Sequence, residues 1–204
     1  MQSILATFLT TIQSSQKILI DAHQTGASGT YLRSQDEREL ITGACFVRKF
    51  IALEEYFEAA FGHYATGGSS ITGWTPQVYA SPPTLEHAHK MMIGLKPFMD
   101  WSTPDQVTRL ANLYFASGEP FATAISSAQS DLRDMKTVRN GTAHVSRTTA
   151  SALEGLYSRW TGAPKQGVSA YEMIMAPNNS SGSSFESYTT AIVTAVANQV
   201  AHYS

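Results

Sequence analysis

An arginine, an asparagine and a histidine share one short stretch, Arg139-Asn140-Gly141-Thr142-Ala143-His144. A guanidinium holds an anion through a fixed fork of N–H donors, and an imidazole moves a proton near neutral pH. Within reach of each other they suit cleavage of a phosphodiester, with arginine on the phosphate and histidine on the proton. Chance gives an arginine–histidine pair at this one spacing about 0.24 times in such a chain, and an asparagine directly after the arginine lowers that to about 0.006. The Arg-Asn step carries the specificity.

Ile125, Ala128, Leu132 and Met135 recur at helical spacing, and the next step of that stripe is Arg139. The arginine therefore aims at the packed side of a helix, where a charge needs a partner. That helix is expected to begin at Glu119-Pro120 and to stop at Asn140-Gly141, because both residues tolerate left-handed backbone. Thr142 is expected to cap the next helix. His144 then lies near a helix start, where the backbone dipole and Arg139 both favour the neutral imidazole that a general base requires. Arg133, Lys136 and Arg147 add positive charge around the motif against Asp131 and Asp134, and are candidates for holding a polyanion.

The rest of the chain reads as helices. Ile4, Leu5, Phe8, Ile12 and Leu19 predict an amphipathic helix over 2–23, broken by Gly26-Ala27-Ser28-Gly29. Ser34, with Asp36, Glu37 and Glu39 after it, starts a second helix expected to run to about Phe61. It carries two apolar stripes, one of Leu40, Ala44, Val47 and Ile51, the other of Phe46, Phe50, Leu53 and Phe57. Both are expected to pack, which makes this the central helix of a bundle. Glu54 continues the Leu40–Val47 stripe and is a further candidate, as a partner for Arg139 or an orienting group for His144. Residues 62–103 read as a Gly/Pro-rich insertion with one short helix over 84–93, tied to the core by Trp74, Tyr79 and Trp101. Thr103-Pro104-Asp105 opens a helix ending near Ser117-Gly118. Residues 146–160 form another, presenting Leu153, Leu156 and Trp160. After a polar linker at 178–184, a last helix spans 185–202. No strand pattern occurs. The fold class is all-α, a helical bundle in a single domain.

Composition sets outer limits. A net charge of −2 and a pI near 6.3 exclude broad coating of nucleic acid but leave room for a local basic site. The one cysteine, Cys45, excludes an internal disulfide framework and a cysteine zinc site, and is expected to be a buried thiol. No apolar run is long enough to cross a bilayer, and no basic segment precedes the first apolar residues, so a cytoplasmic protein is expected. His87 and His89 stand two apart on a helix and diverge, so the sequence calls for no metal and no cofactor.

Arg139-Asn140-Gly141-Thr142-Ala143-His144 resembles the Arg-x(4–6)-His motif of the HEPN-domain ribonucleases, whose domain is also an all-helical bundle. The likeness in motif covers a dozen residues. It implies metal-independent endonucleolytic cleavage of RNA by a homodimer, with the motifs of both protomers lining one cleft. In that family Arg139 and His144 would be catalytic, with Asn140 orienting them, and Glu54 would match an acid brought from another helix. Members act as toxins or antiphage-defence effectors, so an antitoxin or regulatory protein is an expected partner besides RNA. The alternative is a non-cleaving HEPN-like module for dimerisation or regulation. The chemistry agrees independently. RNA supplies its own nucleophile in the 2′-hydroxyl, one histidine does not easily serve as both base and acid, and a two-fold dimer brings in a second copy.

Overall fold

The computed structural model describes residues 1–94, 99–143 and 146–204. Among them are nine α-helices, one 3-10 turn and no strand, and the remaining backbone pairing consists of three isolated bridges. The protein is all-α, and among the described residues no helix is long and apolar enough to cross a membrane.

The first helix, α1 (Gln2–Ala22), buries Leu5, Phe8, Ile12 and Leu19 as its spacing predicts. Ahead of α2 (Gln35–Ala65), Ser34 and Glu37 form a reciprocal cap: the Ser34 amide donates to Glu37 Oε2 at 2.8 Å and the Glu37 amide to Ser34 Oγ at 3.3 Å. These bonds hold the Glu37 carboxyl below its usual range. The helix passes its expected end at Phe61 and runs to Ala65, with Gly62 in close contact inside it. A Cβ there would fall 2.5 Å from Leu85 Cδ1. Thr84 caps α3 (Leu85–Ile93), and Pro104 opens α4 (Pro104–Tyr114). That helix ends sooner than expected and gives way to a 3-10 turn over Ala116–Gly118.

Where one helix was expected from Glu119 to Asn140 there are two, α5 (Phe121–Ser126) and α6 (Gln129–Ala143). The Ser126 and Ser127 hydroxyls donate back to the Thr123 and Ala124 carbonyls, competing with the helical ladder at the junction. The next helix, α7 (Arg147–Thr161), starts from a Ser146–Thr149 capping box. A short α8 (Ala170–Met175), absent from the sequence expectations, starts from a Ser169–Glu172 box of the same kind. The last, α9 (Phe185–Ala201), agrees with expectation.

Packing divides the chain into two compact units. The first comprises Met1–Leu9, Ala52–Arg133 and Ile192–Ser204, and the second Thr10–Ile51 and Asp134–Ala191. In the first, Phe61 sits 4.7 Å from Phe115, 5.3 Å from Phe121 and 5.7 Å from Trp101 between ring centroids. The 66–84 stretch is stitched into this core. Trp74 packs on Tyr64 and Tyr203, and the Tyr79 and Ala116 amides donate to the Tyr114 and Gln77 carbonyls. The expected tie through Trp74 and Trp101 is present, whereas Tyr79 is exposed.

Two buried phenols brace α9 within this unit. Tyr56 donates to the Ala197 carbonyl at 2.7 Å and Tyr64 to the Val200 carbonyl at 2.6 Å. Burial pushes both pKa values well above the ordinary tyrosine value. The native state keeps both protons where the unfolded chain releases them, so stability is complete below about pH 10 and falls above it by about 1.4 kcal/mol per pH unit for each tyrosine. Urea midpoints measured from pH 9 to 11.5 are expected to drop, and Tyr56→Phe with Tyr64→Phe to flatten the slope. A slope unchanged in the double variant contradicts this.

In the second unit Phe46, Phe185, Trp160 and Tyr188 pack together. Lys49, only 2% exposed, lies among them on α2. Its Nζ donates to the Glu186 carbonyl and Oε1, both at 3.1 Å, and to the Thr190 and Thr189 hydroxyls at 2.9 and 3.2 Å. Burial pushes its pKa down while Glu186 holds it up. Cys45, one turn away, is a buried free thiol whose pKa burial raises.

Candidate functional site

The stripe leading to the motif is buried as expected. Ile125, Ala128, Leu132 and Met135 all lie in the interior, as does Val138. Arg139, one step further, is half-buried. Its guanidinium stands 6.0 Å from the centre of the Phe50 ring, and Nη1 donates to Asn140 Oδ1 at 3.2 Å. Among the described residues no carboxylate pairs with it. Arg139 is thus a partly desolvated cation oriented by its neighbour.

The local backbone differs from expectation. The helix does not stop at Asn140-Gly141 but continues to Ala143. Gly141 is there for close packing, since a Cβ would fall 2.5 Å from Leu153 Cδ1 of α7. Thr142 caps nothing and returns its hydroxyl to the Val138 carbonyl at 3.0 Å, while its methyl lies 3.1 Å from the Cβ position of Gly43 on α2. Ser146 is the cap. Small residues at 43 and 141 thus let α2, α6 and α7 approach closely around Arg139. His144, expected beside Arg139 and near a helix start, lies outside the described residues.

The other candidates fall in both units. Arg133 belongs to the first unit, where Nη2 binds both carboxylate oxygens of Asp105 at 2.8 Å. This lowers the Asp105 pKa and engages the charge that was expected to face a polyanion. Asp134 in turn pairs with Arg159 at 2.8 Å. Lys136 is half-buried on α6, and Arg147 is exposed at the first position of α7. Glu54 is half-buried in the first unit, whereas Arg139 and Asn140 belong to the second. The apolar residues of the stripe that Glu54 continues do not pack among the described residues. Leu40 is 74% and Ile51 42% exposed, with Ala44 exposed and Val47 half-exposed. The second stripe, Phe46, Phe50, Leu53 and Phe57, is the buried one.

Two features escaped the sequence entirely: the Lys49 network, and a buried arginine, Arg38, beside His23. The available signal was register. At about 100° per residue, Arg38, Thr42, Cys45 and Lys49 fall on the same side of α2 as Phe46 and Leu53. Among the described residues no group of three His, Cys, Asp or Glu side chains is placed to hold a metal ion.

Fold and site together define the class of the protein no further than all-α. No protein-family model matches the chain, and neither the curated proteins nor the solved structures contain a significant match.

Proposed function

We propose that this protein is a metal-independent endoribonuclease of HEPN type, acting as a homodimer in toxin or antiphage-defence chemistry. The observation that carries the proposal is the state of Arg139: half-buried, bonded to Asn140 and without a carboxylate partner among the described residues. In the proposed reaction the scissile phosphate occupies the guanidinium fork. His144 takes the proton of the 2′-hydroxyl, the 2′-oxygen attacks phosphorus to close a cyclic phosphodiester, and the 5′-oxygen leaves with a proton from the second copy's histidine. Lys136 and Arg147 are retained as contacts to neighbouring phosphates.

The unpacked stripe of α2 supports the dimer. Around the helix axis Val47 stands about 40° from Gly43, the residue that touches α6, and Leu40, Ile51 and Ala44 lie within about 100°. The apolar face therefore borders the side of α2 against which the helix bearing Arg139 lies. A second copy seated there buries four apolar side chains and brings two motifs to one seam. The same face would equally serve a dimerisation module that does not cleave, which is the second reading. Leu40→Glu with Ile51→Glu is expected to convert a dimer to monomer in sedimentation and to abolish RNA cleavage in EDTA. A wild type that leaves RNA intact overturns the nuclease proposal, and a monomeric variant that cuts at the wild-type rate overturns the composite site.

A further inference from the structure

A second cluster of arginine, histidine and hydroxyl groups, sharing no residue with the motif, occurs in the second unit. Arg38, near the start of α2, is 9% exposed. Its Nη2 donates to Gln35 Oε1, a neutral acceptor, and its guanidinium lies under the Tyr31 ring, 3.7 Å from the centroid. Nε is buried and has no acceptor among the described residues. No carboxylate pairs with this cation among them either. The acids on adjoining segments are committed elsewhere: Asp21 accepts from Gln24, Glu37 from Ser34, Glu39 from Gln35, and Glu172 pairs with Lys165 at 2.6 Å. Asp36 is exposed and forms no ion pair with Arg38. A buried charge without a counter-charge is costly, and here the described chain does not supply one.

Neighbouring groups complete the cluster. His23 Nε2 is 3.0 Å from Thr42 Oγ1. If the ring nitrogen accepts, Nδ1 carries a proton on a half-buried ring; if it donates, the Thr42 hydroxyl keeps its own proton to give. Either tautomer leaves a donor free. The His23 ring lies parallel to Tyr171 at 6.1 Å and edge-on to Tyr31 at the same distance. Burial and Arg38 both lower its pKa, so the imidazole is held neutral. Tyr31 itself is half-exposed, on a loop closed by the Thr25–Tyr31 bridge and a 2.8 Å bond from the Gly26 amide to the Thr30 carbonyl.

We propose that Arg38, the His23–Thr42 pair and the rings of Tyr31 and Tyr171 form a binding site for a phosphate-class oxyanion, with Tyr31 as its cover. The fork of Arg38 engages two oxygens and the leftover donor of His23–Thr42 a third, which suits a tetrahedral anion better than a planar carboxylate. The site stands independently of the nuclease proposal, since it uses none of the motif residues.

The test is calorimetric titration of the whole protein at constant ionic strength with inorganic phosphate, phenyl phosphate and benzoate. Saturable binding of both phosphates, with benzoate weaker, is the expected result, and phosphate should raise the thermal midpoint. Tighter binding of phenyl phosphate identifies a ligand that carries its phosphate on a flat group, and equal binding identifies the free anion. Arg38→Lys keeps the charge and loses the fork, so it should weaken binding about tenfold or more. Arg38→Met, if it folds by circular dichroism, should abolish binding. Failure of the wild type to bind either phosphate overturns the proposal, as does benzoate binding as tightly as phenyl phosphate or a folded Arg38→Lys that binds unchanged.

Discussion

Arg139→Ala is expected to lower RNA cleavage by about 10²–10³-fold with little change in stability. The guanidinium makes one side-chain bond, to Asn140, and stands at the outer limit of a cation–π contact with Phe50. Its removal therefore costs the fold about 1 kcal/mol or less. Its value lies in the phosphate it would hold. Arg139→Lys keeps a positive charge but not the planar fork, and should recover only part of the loss. Single-turnover cleavage and urea midpoints on the same preparations separate the two roles. If Arg139→Ala loses several kcal/mol of stability while each folded molecule cuts as before, the arginine is structural.

The largest loss of stability from a single change is expected for Lys49→Ala, about 3–5 kcal/mol. Lys49 and Glu186 form an ion pair that is almost wholly out of water, with lysine at 2% and the glutamate side chain at 14% exposure. Deleting the lysine leaves a carboxylate and two threonine hydroxyls around an empty space. Changing both partners, Lys49→Met with Glu186→Gln, removes the charges together and should restore much of the loss. Denaturant midpoints for the two single variants and the double variant close the cycle. A Lys49→Ala variant within about 1 kcal/mol of wild type would mean that the network contributes little.

The helices were legible in the sequence wherever one face was apolar and one polar, as in α1, α9 and the buried stripe of α2. The errors share a few causes. Gly141 reads as a breaker because glycine tolerates turns, yet a Cβ there would fall 2.5 Å from Leu153 Cδ1. That information lies in the partner, not in the segment. Leu40, Ala44, Val47 and Ile51 read as a packed face because helical spacing marks a stripe as apolar without saying what covers it. Among the described residues of one chain, only Val47 of the four is even half-buried. The α8 helix was missed although Ser169-Ala170-Tyr171-Glu172 is a capping box in plain sight, because the helix is too short for periodicity to register. At the site, the packed aim of Arg139 and its bond to Asn140 follow from register and adjacency. The engagement of Arg133 by Asp105 depends on a contact across 28 residues of sequence that spacing does not reveal.

The most direct measurement is cleavage in EDTA of an RNA and of the same strand with 2′-deoxy sugars, by the wild type and by His144→Ala. The wild type should cut the RNA alone, and His144→Ala should cut neither strand. Intact RNA with the wild type, cutting of the deoxy strand, or an alanine variant as active as the wild type would contradict the nuclease proposal.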